Sequence, residues 1–252
     1  MTYKDIPLSE FSPAQGLIAP DFERLPLRLP ARCLMAFLGE KRIAAFAEEM
    51  QGAVIGKFLS LTKKFPLYEI PGREENLLLL QAPCGAPSAV LLEERLFAYG
   101  VQKILAIGCC GTLTDIKENC FFPVKRALRD EGTSFHYMEP SRFIDMDKEP
   151  LIHLETWFKE KGLPFHPATT WSSDGFFRET AEKIKRRIDE GCELVDMESS
   201  ALAACARFRK KEFAQILFTT DTLSNLSHDQ RSWGKESRNA ALRLGVEALK
   251  IL

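Results

Sequence analysis

Short apolar runs alternate with amphipathic stretches along most of this chain. Cys33 to Leu38 is an apolar run closed by Gly39, the pattern of a buried strand. Arg42 to Met50 follows with Ile43, Phe46 and Ala47 spaced along one helical face. The pairing then recurs. Leu77 to Leu80 predicts a strand that turns at Pro83-Cys84-Gly85, and Ser88 to Tyr99 a helix with Val90, Leu91, Phe97 and Ala98 on roughly one side. Ile104 to Ile107 predicts a strand ending at Gly108. In the second half, Pro167 to Trp171 reads as extended, Glu179 to Asp189 as helix, and Leu194-Val195 as the end of a strand. Glu198 to Arg207 then reads as helix, Phe213 to Phe218 as strand and Trp233 to Leu252 as a terminal helix.

Strands separated by helices require crossover connections. The pattern therefore predicts an α/β fold with a largely parallel sheet covered on both faces. No Pro/Gly/Ser-rich linker divides the 252 residues, so a single domain over 1–252 is expected, with 1–32 as an N-terminal extension.

Composition narrows the partners. With 34 basic and 35 acidic residues the net charge is -1, which gives no electrostatic case for nucleic acid or an anionic membrane. The seven cysteines are scattered, without CxxC or His-x3-His spacing, which argues against zinc and for the reducing cytosol. Met1-Thr2-Tyr3-Lys4-Asp5 lacks the apolar stretch of a signal peptide, and no apolar run approaches the roughly 20 residues that span a bilayer. The expectation is a cytoplasmic protein with no metal.

In parallel sheets ligands sit beyond the carboxyl ends of the strands. Three polar segments fall at such places: Gly108-Cys109-Cys110-Gly111, Asp196-Met197-Glu198 and Thr219-Thr220-Asp221. The first reads as a tight turn whose amides are free to face an anion, or as an ordinary loop. In the second, Asp196 and Glu198 could cap and complement a helix N-terminus, or Glu198 could accept hydrogen bonds from two vicinal hydroxyls, as in ribose. Asp221 could be a turn residue, or a half-buried general acid. Ser172-Ser173-Asp174-Gly175-Phe176-Phe177 is a polar turn with two aromatics, either core or a platform for a ring.

From about Cys33 onward, the order of these segments resembles the nucleoside phosphorylase family, which covers purine and uridine phosphorylases and related nucleosidases. Val195-Asp196-Met197-Glu198-Ser199-Ser200-Ala201 resembles its ribose-binding motif, and Ile107-Gly108-Cys109-Cys110-Gly111-Thr112-Leu113 its phosphate-side glycine turn. Arg129-Asp130-Glu131-Gly132-Thr133-Ser134 is similar to a segment of one bacterial and archaeal branch. Ser173-Asp174-Gly175-Phe176 resembles the base-stacking loop, and Leu217-Phe218-Thr219-Thr220-Asp221 the strand ending in the purine-directed acid.

The resemblance implies a three-layer α/β sandwich, assembled as a homodimer or homohexamer. It implies that Glu198 binds the ribose hydroxyls, Met197 packs under the sugar, Phe176 stacks on the base and Asp221 protonates it. Were the base a pyrimidine, Arg178 is the residue whose loop position suits it to contact the ring carbonyls. Gly39, Arg42, Gly108, Cys109 and Gly111 would hold phosphate, aided by Lys63 or Lys64 of a neighbouring subunit. Phosphate would be a co-substrate and no cofactor is needed.

Several positions depart from the family pattern. Ala106 stands where purine phosphorylases carry a phosphate-binding arginine, and Cys109 replaces a Ser or Thr. The uridine-directed Gln-x-Arg motif is absent after Phe176, and the first histidine is His136. The expected reaction is phosphorolysis of a purine nucleoside to free base and ribose 1-phosphate. The alternatives are a hydrolytic nucleosidase, with Glu40 or Glu179 orienting water, a uridine phosphorylase, and a non-catalytic nucleoside-binding protein.

Overall fold

The computed structural model describes residues 6–252; residues 1–5, which bear on the signal-peptide reading, lie outside them. The core is one mixed sheet with helices on both faces. Its strands are β1 (Arg32–Ala36), β2 (Ala53–Leu59), β3 (Lys64–Ile70), β4 (Leu77–Gln81), β5 (Lys103–Thr112), β6 (Phe121–Asp130), β7 (Phe143–Asp145), β8 (Ala168–Ser173), β9 (Leu194–Asp196) and β10 (Glu212–Thr222). The helices are α1 (Glu40–Glu49), α2 (Ala86–Ala98), α3 (Lys148–Glu160), α4 (Ala181–Asp189), α5 (Ser199–Arg209) and α6 (Lys235–Leu249).

The apolar runs behave as two-sided buried strands. In β1, Cys33 and Met35 join one core and Leu34 and Ala36 the other; β4 splits Leu78 and Leu80 from Leu77 and Leu79 in the same way. Successive side chains of a strand point to opposite faces, so a run that is apolar throughout requires a cover on each side. Residues of α2 and α5 cover one face, and residues of α1, α3 and α6 the other. This is the three-layer α/β sandwich.

The parallel pairings lie at the centre, where β1 sits between β4 and β5 and β5 also pairs with β10. Parallel β6–β8 and β8–β9 pairings extend the sheet. Antiparallel pairings carry the β2–β3–β4 edge and the β10–β6, β5–β9 and β6–β7 contacts. The segment before β1 leans on the α2/α5 side: Leu29 is buried, its N–H donates to the Tyr99 carbonyl at 2.9 Å, and Glu23 pairs with Arg95.

Two expectations are corrected. The β2–β3 hairpin, β6 and α3 have no counterpart in the sequence reading; β2 exposes Ala53, Val54 and Leu59, so its burial does not alternate. Gly108 to Gly111 is not a turn either. It lies inside β5, with Gly108 opposite Leu217 of β10 and Gly111 opposite Val195 of β9. The glycines answer to close packing: a Cβ on Gly108 would stand 3.2 Å from the Phe37 side chain, and one on Gly111 would stand 3.0 Å from Val195.

Candidate active site

β5 changes neighbours along its length. β1 accompanies it from Arg32 opposite Lys103 to Ala36 opposite Ile107, and β9 joins it antiparallel only at Gly111. Between those points the sheet parts, and a cavity of about 690 Å³ opens beyond the carboxyl ends of β1, β4, β5 and β10. A pocket at a point where strand neighbours change is where open α/β sheets place ligands.

One wall is the start of α5. Asp196 serves as the structural anchor there: its Oδ2 accepts the Glu198 N–H at 2.9 Å, the Ser199 N–H at 2.7 Å and the Ser199 hydroxyl at 2.7 Å. Its Oδ1 accepts hydroxyl bonds from Thr170 at 3.0 Å and Ser172 at 2.9 Å. Asp196 thus answers the donors left free at the helix N-terminus, and Glu198 is released from that task. The Glu198 carboxylate reaches across instead, accepting the Gly85 N–H at 2.6 Å, and lines the cavity with Met197. Burial, reinforced by the nearby Asp196 charge, pushes its carboxyl up to about 8. Such a group takes hydrogen bonds readily when it ionises, because no water competes for it.

The same anchoring involves the motif at the end of β6. Ser200 donates to Glu131 Oε1 at 2.8 Å, and Glu131 Oε2 accepts the Ser134 N–H at 2.9 Å. Arg129, also buried, donates to Ser134 at 2.9 Å and to the Glu139 carbonyl at 2.8 Å. The Gly132 N–H donates to Asp174 at 2.9 Å, in the turn that presents Phe176. Arg129 to Ser134 is therefore a bracket behind the site.

The opposite wall is the end of β10. Asp221 is buried, receives the Thr220 hydroxyl on Oδ1 at 2.8 Å, and has His228 Nε2 3.1 Å from Oδ2. A Cβ on Gly111 would come 3.6 Å from Asp221 Oδ2, so the glycine keeps this carboxylate's approach open. Glu179 also lines the cavity; burial and the Asp221 charge push it up to about 7, against the pull of Lys183. Phe176 lines the cavity with its ring half exposed. Arg178 is exposed and Gly108 packs beneath Phe37; neither lines the cavity.

At the third side, Gly39 begins α1 with open space where a Cβ would project. Arg42 lines the cavity and donates to Asn239 at 2.7 Å. Lys63 lines it from the same chain rather than a neighbouring one, bonded to Gln81 and 3.4 Å from Glu40. Cys109 opens onto the cavity, yet the protein ringing it pushes its thiol up to about 11, with Arg238 pulling the other way. Ala106 has no exposure and belongs to the core under α2 and α5.

Arg238 and Trp233 are cavity residues that sequence reasoning missed. Among the described residues none hydrogen-bonds or ion-pairs with the Arg238 guanidinium. An arginine one turn into an amphipathic terminal helix carries no local mark that separates it from a surface charge. Also among the described residues, no group of three or more His, Cys, Asp or Glu is placed to hold a metal, and no helix is long and apolar enough to cross a membrane.

Residues 32–251 match the family model described as the phosphorylase superfamily. This chain belongs to the phosphorylase superfamily, a family of nucleoside phosphorylases and nucleosidases. It is 28% identical to the DeoD-type purine nucleoside phosphorylase of Brevibacillus brevis over 173 residues, which are 66% of this chain and 72% of that one. It is 28% identical to the guanosine phosphorylase of Halorubrum lacusprofundi over 147 residues, 58% of this chain and 61% of that one. The fold is similar to the uridine phosphorylase from Vibrio fischeri, with a TM-score of 0.75, 19% identity and coverage of 89% and 92% of the two chains. It is similar also to the AMP nucleosidase from Bacteroides thetaiotaomicron, with a TM-score of 0.71, 20% identity and coverage of 88% and 89%.

Proposed function

We propose that this protein cleaves the N-glycosidic bond of a purine nucleoside with phosphate, releasing free base and ribose 1-phosphate. The observation that carries the reading is the division of one cavity into three chemistries: the buried carboxylate Glu198, the ring and acid Phe176 and Asp221, and a cationic corner of Arg42, Lys63 and Arg238 beside Gly39. Ribose hydroxyls donate to Glu198 over Met197. The base lies on Phe176, with Asp221 positioned to supply a proton to the departing ring. Phosphate needs several donors, because burying its charge without them is very costly. Arg238 supplies the cation that Ala106 does not, and Lys63 the one expected from a neighbour. The relatives named as purine and guanosine phosphorylases support the same base class.

A second reading, hydrolysis, is favoured by Glu179. A carboxyl near 7 on the cavity wall can accept a proton from water at neutral pH. Incubation with inosine, guanosine, adenosine and uridine, with and without phosphate, followed by identification of the sugar product, tests both. Ribose 1-phosphate formed only with phosphate is the expected result. Free ribose at full rate in phosphate-free buffer establishes hydrolysis, and faster cleavage of uridine refutes the purine assignment.

A further inference from the structure

Asp221 does not stand alone. The chain after β10 turns back on itself, Thr222 and Asp229 exchanging backbone hydrogen bonds of 2.9 and 3.0 Å, and carries His228 to 3.1 Å from Asp221 Oδ2. The return is fixed from outside: Glu118 accepts the Ser232 N–H at 3.0 Å, the Ser232 hydroxyl at 2.8 Å and the Gly234 N–H at 2.6 Å. The Trp233 ring lies 5.9 Å from the imidazole. The Asp221 side chain is 8% exposed, whereas the His228 side chain is 44% exposed. One end of this pair therefore meets the cavity and the other meets solvent.

We propose that His228 is the positioning residue that holds Asp221 toward the base and returns its proton from solvent. This rests on the reading of the cavity as a nucleoside-cleaving site. The reaction breaks the bond from C1′ to the base nitrogen, whose electron pair passes into the base, and forms a bond from C1′ to a phosphate oxygen. The departing base takes a proton from Asp221. Asp221 takes its replacement from Nε2 of the imidazolium, and the neutral imidazole is reprotonated by water. Without such a partner, the buried Asp221 would have no hydrogen-bonded route to solvent while the cavity is occupied. The charged groups around the pair are Glu179 across the cavity, Lys183 on α4 beside Glu179, Arg238 on α6 lining the same cavity, Glu118 behind the loop, and Asp229 and Arg231 within it.

The test compares His228→Gln and His228→Ala on two ribosyl donors: a purine nucleoside, and nitrophenyl riboside, whose phenolate leaves without a proton. Gln can still hydrogen-bond to Asp221 but cannot carry a proton. The expected result is a kcat loss on the purine nucleoside at least tenfold greater than on the nitrophenyl riboside in both variants. Added imidazole should partly restore the purine rate of His228→Ala. Equal losses on both donors, or no loss on either, overturn the proposal; melting curves identify a variant that has merely unfolded, and the other variant then decides. Wild-type protein that cleaves neither donor refutes the glycosidic reading itself, a result distinct from any behaviour of His228.

Discussion

The charge of Glu198 offers the sharpest separation of ligand binding from structure. Its carboxyl stands at about 8 in the fold against an ordinary value near 4.5. That difference corresponds to on the order of 5 kcal/mol of preference for the neutral form, and burial is the first cause. The folded protein thus binds more protons than the unfolded chain between those values. Stability falls as pH rises from about 4.5 to about 8 and is level above that window. Glu198→Gln cannot ionise, keeps an oxygen for the Gly85 N–H, and leaves the cap on Asp196 untouched. The variant should therefore melt at or above the wild-type temperature at pH 9, with a smaller fall between pH 5 and 9. Meanwhile kcat/KM should drop more than tenfold, since charge-assisted hydrogen bonds to the sugar contribute about 1.5–3 kcal/mol. In the wild type, kcat/KM should rise with pH toward 8 as the acceptor ionises. Thermal melts and steady-state kinetics across that range check this. A lower melting temperature with unchanged kcat/KM would refute the reasoning and make Glu198 a structural charge.

The remaining predictions concern its surroundings. Asp196→Ala should destabilise by about 2–4 kcal/mol in denaturant titration, because it strips the α5 cap and leaves the buried hydroxyls of Thr170 and Ser172 without their acceptor. Arg238→Ala and Arg42→Ala should each raise the phosphate KM about tenfold or more with little change in nucleoside KM, measured by varying each substrate in turn. Ala106→Arg should not restore a phosphate ligand; it places an unpaired charge in the core beneath α2 and α5 and should cost more than about 3 kcal/mol, seen as loss of soluble folded protein.

Much of this was legible from residues alone. The two-sided apolar runs of β1, β4, β5 and β10 announced a covered parallel sheet, and the polar ends after Val195 and Phe218 marked where its walls would be. Gly108 to Gly111 misled because glycine signals both turns and close packing; Phe37 and Val195, far away in sequence, decide which applies. The division of labour between Asp196 and Glu198 was equally hidden, since it depends on Thr170, Ser172 and Gly85 arriving from other elements. Trp233 and Arg238 lie at the start of a terminal helix whose pattern carries no trace of the cavity, and Lys63, named from the resemblance, reaches the cavity within its own chain.

The bracket from Arg129 to Ser134 ties the Glu198 and Phe176 walls of the pocket to one another. Glu131 grips the first turn of the helix that presents Glu198, and one residue later Gly132 grips the turn that presents Phe176. A drift in sequence here would move both at once. Changes of base preference should therefore arise more readily from residues on the cavity wall, such as Glu179, than from the scaffold behind it. A variant library aimed at new bases would do well to leave those six positions fixed.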